Sequence, residues 1–204
     1  YYAVPAPLRK PAKQWEAALG EQGDLPGTMV AVNSTGSIFT SFGRSGGSFL
    51  GGFSATGEML WIYGPMHVGR SLSAPAILPS GTLVQHFRDG NVMAFDPTTG
   101  NVRWTAATHM STSPSLAVDS AGNLYLPAFN ESGLHKIDGR TGRMLWSIPD
   151  INRNLANNTA SSPSLSLNEQ TVYAVRSHNL VARPDGGLGG LYSINAKDGS
   201  INWT

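Results

Sequence analysis

Five tryptophans, Trp15, Trp61, Trp104, Trp146 and Trp203, punctuate the 204-residue chain at spacings of 46, 43, 42 and 57 residues. A recurrence of this length is the signature of a repeat architecture, in which each unit buries its apolar face only against its neighbours. The last four tryptophans each follow a glycine by four residues: Gly57, Gly100, Gly142 and Gly199. That glycine is preceded by Thr56, Thr99, Thr141 or Asp198, so the shared unit is [Thr/Asp]-Gly-x-x-x-Trp. In three copies a short alternating run ends on an acid or amide four residues before the glycine: Asp96, Asp138 and Asn195. The remaining copy departs, with Phe53 at that place.

This pattern reads as strand, tight hairpin, strand. Glycine accepts the positive φ that the turn demands, and a side-chain oxygen at the start of the turn caps its backbone. Upstream of each unit stands a second shared element, seen in Ser73-Ala74-Pro75-Ala76-Ile77, Ser113-Pro114-Ser115-Leu116 and Ser162-Pro163-Ser164-Leu165, with Pro26-Gly27-Thr28-Met29-Val30 as a weaker copy. Proline is tolerated at the first position of a strand, where no ladder donor is lost. Hairpin signals follow at Ser34-Thr35-Gly36, Pro79-Ser80-Gly81 and Ser120-Ala121-Gly122, with Asn168-Glu169-Gln170 standing in last. Each repeat therefore predicts four short antiparallel strands, the outermost ending at the tryptophan, and this is the blade of a β-propeller. The expected fold class is all-β.

Composition agrees. Charged residues make up 13% of the chain, while 24 glycines and 13 prolines point to many short elements joined by tight turns. A hydrophobic share of 40% is enough for a folded core. The formal net charge of +1 provides no global field for nucleic acid or an acidic membrane, so nucleic-acid binding is not expected. No stretch approaches a membrane span, and Tyr1-Tyr2-Ala3-Val4-Pro5 lacks the layout of a signal peptide. The chain has no cysteine, which rules out disulfides and thiolate metal sites and leaves the compartment open.

The stretch Ala94-Phe95-Asp96-Pro97-Thr98-Thr99-Gly100-Asn101-Val102-Arg103-Trp104 resembles the tryptophan-docking motif of pyrroloquinoline-quinone-type (quinoprotein-like) propeller repeats. That family includes quinoprotein alcohol dehydrogenases and a non-catalytic outer-membrane assembly lipoprotein. The resemblance implies a girdle in which Trp61, Trp104, Trp146 and Trp203 lock neighbouring blades, and it implies an extracytoplasmic location, periplasmic or secreted. The expected organisation is four blades over residues 26–204, at about 26–61, 72–104, 112–146 and 161–203. These would form part of a larger, seven- or eight-bladed propeller, or a piece completed by another chain. Residues 1–25 are either the remnant of a preceding blade or an N-terminal extension, with Trp15 in an outer strand or in a short helix over 12–19.

In such a propeller the loops joining one blade to the next share a face with those joining the two middle strands, and the resemblance places the ligand funnel there. These loops carry Arg44, Arg70, Arg88, Arg153, Arg176 and Arg183 against Asp89, Glu131, Asp150 and Asp185, together with His67, His109 and His178. Arginine suits bidentate recognition of carboxylate or phosphate, so Arg44, Arg70, Arg88, His109, Arg153 and Arg183 are the binding-face candidates for an anionic ligand, against the reading of solvated loop charges. Catalytic readings fare worse. The family's enzymes use an acidic base, a calcium ion and often adjacent cysteines beside the quinone; the cysteines are absent here, and Asp96, Asp138 and Asn195 read as turn caps. Asn157 and Asn158 offer an amide ligand without a paired carboxylate nearby, and Gly186 to Gly190 read as a flexible insertion rather than a phosphate loop. The expected function is that of a non-enzymatic binding or scaffold subunit whose partner is a protein or further blades. The alternative is a partial chain of a quinone-dependent alcohol dehydrogenase-like oxidoreductase, with pyrroloquinoline quinone and calcium as cofactors.

Overall fold

Sixteen strands among the described residues assemble into four antiparallel sheets, each with its strands in simple chain order. The computed structural model describes residues 16, 19, 29–44, 47–66, 73–87, 89–108, 115–128, 133–148, 162–176 and 190–203. The first blade comprises β1 (Val30–Val32), β2 (Ile38–Arg44), β3 (Gly47–Phe53) and β4 (Met59–Met66). The second comprises β5 (Ala76–Ile77), β6 (Leu83–His86), β7 (Asn91–Phe95) and β8 (Val102–Ala107). The third comprises β9 (Ala117–Val118), β10 (Asn123–Ala128), β11 (Gly133–Asp138) and β12 (Met144–Ile148). The fourth comprises β13 (Ser164–Leu165), β14 (Thr171–Arg176), β15 (Gly190–Asn195) and β16 (Ile201–Trp203). In the first three blades the outer strand runs on past its tryptophan, to Met66, Ala107 and Ile148, rather than ending there. Trp15 and the expected helix over 12–19 lie outside the described residues, apart from Glu16 and Leu19.

Local chemistry sets the turns. Between third and fourth strands, Asp96 Oδ1 accepts the Thr98 amide at 2.9 Å, Asp138 Oδ1 the Arg140 amide at 2.8 Å and Asn195 Oδ1 the Lys197 amide at 2.9 Å. The amide of Gly100, Gly142 or Gly199 closes each turn on the carbonyl of the capping residue. Bonding to backbone N–H groups and to neighbouring side chains holds the carboxyls of Asp96 and Asp138 below the usual carboxylate range, against the opposing pull of desolvation. In the first blade Phe53 is buried in the core and Ser54 takes over the cap, with Gly57 bonding to Ser54 O, so that turn is one residue shorter.

Each of these hairpins carries a register shift beside its tryptophan, between Gly52/Phe53, Ala94/Phe95, Lys136/Ile137 and Ser193/Ile194. An extra residue on one strand re-aims the following side chains, and in the first three blades the indole beside it meets the turn of the next blade.

Three apolar clusters sit between successive blades rather than inside any one of them. Phe39, Leu50, Leu83, Met93 and Phe95 fill the first seam; Val84, Val92, Leu124, Leu126 and Ile137 fill the second; Tyr125, Leu134, Val172 and Ile194 fill the third. A blade has no core of its own, so its stability is that of its seams.

The turns between first and second strands show one substitution with a stability consequence. Gly36, Gly81 and Gly122 adopt φ of 82°, 81° and 84°, and in the fourth blade Glu169 takes the same place at φ 57°. A side chain there costs about 1–2 kcal/mol relative to glycine. Glu169 offsets that cost by reaching across the seam, where its carboxylate accepts the Ser120 amide at 2.9 Å. Glu169→Ala loses the bond and keeps the strain, whereas Glu169→Gly loses both. In urea titrations the glycine variant is expected to be about 1 kcal/mol more stable than the alanine variant. Equal midpoints would show that the left-handed backbone is not strained.

Candidate functional site

The most regular chemistry on the molecule is the joint between blades. Trp61 Nε1 donates to Pro97 O at 2.8 Å, Trp104 Nε1 to Gly139 O at 3.0 Å and Trp146 Nε1 to Ala196 O at 3.2 Å. In every case the acceptor lies three residues before the turn glycine of the following blade. The indole covers that glycine: a Cβ added at Gly100, Gly142 or Gly199 would fall 2.6, 2.7 and 3.1 Å from the rings of Trp61, Trp104 and Trp146. Glycine is thus required twice over, for the positive φ and for the approach of the ring. Opposite each tryptophan the chain places Gly52, Ala94 or Ser193, and in the third blade Lys136.

Antiparallel order puts the turns between first and second strands, and between third and fourth, at one end of the seams. The strand ends that lead into the middle connections and on to the next blade are at the other end. Of the binding-face candidates, Arg44 ends β2, its backbone paired with Gly47. Residues 43–44 and 47–48 are therefore strand rather than loop. Arg70, Arg88, His109, Arg153 and Arg183 lie outside the described residues, as do the insertion at 177–189 and Asn157 and Asn158. The scaffold beneath these loops is described. Thr108 anchors the end of β8 by giving its amide and its hydroxyl to Gly90 O at 2.6 and 2.8 Å. Deeper, Gln85 Nε2 donates to Ser73 Oγ at 2.6 Å and to His86 O at 2.7 Å, and Ser73 Oγ donates to His86 O at 2.7 Å. Ser73, Gln85 and His86 are all buried. Burial lowers the His86 imidazole to about 4 against the partial opposition of Asp89, so it is neutral near pH 7. The signal for this network is a Gln-His pair in a strand buried at all four positions.

At the turn end of the third seam lies a second polar constellation that the repeat pattern does not disclose. Asp119 accepts the Asn123 amide at 2.7 Å, Asn123 Nδ2 at 2.8 Å and the Tyr125 hydroxyl at 2.9 Å. Lys136 Nζ donates to Ala196 O at 2.8 Å, stands 3.9 Å from Asp119 and lies 5.0 Å from the Tyr125 ring centroid. Burial lowers the Lys136 ammonium and raises the Tyr125 phenol, the latter helped by Asp119.

These features bear on calcium and quinone chemistry. The oxygens of Asp96, Asp138 and Asn195 cap turns at the end of the blades opposite the loops, so they do not fit a metal in the loop funnel. Among the described residues no group of three or more His, Asp or Glu converges on one point.

Comparison with known proteins places the chain. A family model described as outer membrane protein assembly factor BamB matches residues 11–204. Among solved structures, BamB from Moraxella catarrhalis superposes with a TM-score of 0.60 at 17% identity, covering 88% of this chain and 50% of that one. A protein of unknown function from Bacteroides caccae superposes with a TM-score of 0.56 at 17% identity, covering 93% of this chain and 63% of that one. The chain thus spans about half the length of the BamB structure. No curated protein matches it. The repeated turn, the tryptophan joints and the match over 11–204 lead to one assignment: this chain is a β-propeller protein of the outer membrane protein assembly factor BamB family.

Proposed function

We propose that the protein is a non-enzymatic scaffold of an extracytoplasmic assembly, contributing four blades to a larger propeller. The observation that carries this reading is the outward face of the fourth blade. Trp203, Ser193 and Tyr173 stand at the register positions that Trp146, Lys136 and Tyr125 hold in the third blade, and Val175 and Leu191 share their face. In the third blade that face is packed under the fourth, leaving Leu134 2% exposed; in the fourth, Trp203 is 50%, Val175 51% and Leu191 46% exposed. A surface of this composition suits a further blade offering a turn glycine and a carbonyl three residues before it. The description of the matching family as an assembly factor of the outer membrane supports the scaffold role and the location.

Trp203 has no acceptor for its indole N–H among the described residues. Trp203→Ala is therefore expected to cost less than about 1 kcal/mol in the 204-residue chain, but as much as an interior tryptophan in a longer propeller. Urea unfolding of the variant in both contexts separates the cases. An equal, small effect in the longer protein would remove the joint.

Binding belongs to the loop face in this reading. Replacing Arg70 and Arg88 together by alanine should weaken capture of an acidic protein partner, and added salt should weaken it in the wild type, because exposed attractions are screened beyond about 8 Å at physiological ionic strength. Stability should change by less than about 0.5 kcal/mol, since loop charges leave no cavity behind. Affinity that ignores both the substitutions and the salt would return these arginines to solvated loop charges.

A further inference from the structure

The first blade has a back face, turned away from the first seam, and among the described residues no blade stands behind it. Register places Ile38 with Phe53, Thr40 with Gly51 and Phe42 with Phe49 on this face, opposite the side from which Phe39 and Leu50 enter the seam. Phe42 and Phe53 lie outside the three seam clusters, yet they are only 2% and 3% exposed. Their rings lean over Gly51, where a Cβ would meet each at 3.0 Å, and Phe42 stacks on Phe49 with ring centroids 5.9 Å apart. Contacts of this kind screen a ring from the sides and leave its outward surface to water. The outward face of the fourth blade shows the uncovered case, with Trp203, Val175 and Leu191 all exposed.

The cover on the first blade is narrower than a blade. On the inner strand β1, Val30 and Val32 are 61% and 56% exposed. In the second blade, whose back lies against the first, Ile77 holds the place of Val32 and is half-buried, while Leu83 and Phe95 beside it are fully buried. Burial on the first blade is therefore that of the middle strands, with the inner strand left open.

We propose that this face is a docking site for the chain's own amino-terminal segment, residues 1–28, seated through Trp15. Apart from the two-residue hairpin at 45–46, this is the stretch outside the described strands that abuts the first blade without leading on to the second. Trp15 is its largest apolar side chain and stands 46 residues before Trp61, close to the 43 and 42 residues that separate the next tryptophans. The turn beside Phe53 repeats the form that receives an indole in the later blades. Ala55 follows the cap Ser54 as Pro97, Gly139 and Ala196 follow theirs, and Gly57 holds φ at 87°. An indole laid on Phe53 supplies a large apolar cover in an arrangement that aromatic pairs favour. A single segment also has the width to cover β2 and β3 while leaving Val30 and Val32 open.

The chain has no cysteine, so Gln14→Cys carries one nitroxide spin label beside Trp15. In the isotope-labelled 204-residue protein the nitroxide is expected to broaden the amide signals of Gly51, Phe53 and Ala55 and to leave those of Ile194 and Trp203 sharp. In the unmodified protein the Trp15 indole N–H should exchange at least about a hundredfold more slowly than a free indole. Trp15→Ala should shift the same first-blade amides, with an unchanged Trp104 indole signal showing that the variant is folded. Sharp first-blade signals beside the nitroxide, or a Trp15 indole that exchanges as a free one does, would overturn the proposal. So would broadening of isotope-labelled chains by admixed spin-labelled ones, since the segment would then sit on a second copy. None of these readouts involves the outward face of the fourth blade, so the scaffold reading stands or falls separately.

Discussion

Trp104→Ala is expected to destabilise the protein by about 3–5 kcal/mol, the range for truncating a large packed ring to alanine. The indole packs against the apolar cluster of the second seam, donates to Gly139 O at 3.0 Å and covers Gly142. Its removal leaves a cavity between blades, an unmet carbonyl and a bare turn. No rearrangement within one blade can refill the space, because its walls belong to two sheets. Unfolding in urea, followed by the fluorescence of the other tryptophans, measures the loss. A change below about 1 kcal/mol would show that the ring is an ornament on a seam held by its aliphatic residues alone.

Acid is expected to weaken the fold through His86. The imidazole is 1% exposed, and its folded value of about 4 lies below the ordinary 6.5. Between those two values the unfolded chain binds a proton that the folded chain refuses, so stability falls as pH drops from about 6.5 to about 4 and this contribution then levels off. The integrated loss is about 3 kcal/mol. Asp96 and Asp138 also have lowered folded values, but as carboxylates their contribution is present above the unfolded carboxylate range and fades only below about pH 4. The two classes separate by window. Stability measured from pH 7 to pH 4 in the wild type and in His86→Gln should show the steep loss in the former alone. Parallel curves would move the titration to another group.

The fold was legible because its constraints are local and repeated. A glycine at positive φ, a cap before it and a tryptophan four residues after it recur at Gly100, Gly142 and Gly199, and each is a requirement that few residue types satisfy. The first blade shows where the reading fails. Its turn is one residue shorter, so the cap falls on Ser54 while Phe53, at the expected place, turns into the core; serine is too common for its capping role to announce itself. Lys136 is a second case. Alternation alone places it opposite Trp146, where the other blades carry Gly, Ala or Ser, but nothing local shows that its ammonium is met by a carbonyl 60 residues away. Glu169 in a left-handed turn is a third, since its compensating partner Ser120 belongs to another blade. Contacts across a seam pair residues about one repeat apart, and periodicity gives their spacing without their chemistry. The loop-face candidates have no repeat pattern behind them, and Arg70, Arg88, His109, Arg153 and Arg183 fall outside the described residues.

Hydrogen exchange of the tryptophan indole N–H groups tests the interlocked seams most directly, because each joint is a single donor with a single named acceptor. In the 204-residue protein the Nε1 protons of Trp61, Trp104 and Trp146, bonded to Pro97, Gly139 and Ala196, are expected to be strongly protected, and that of Trp203, half exposed, to exchange at nearly the rate of a free indole. Fast exchange at the three interior tryptophans would contradict the account, since blades whose indoles are open to water are not locked to one another.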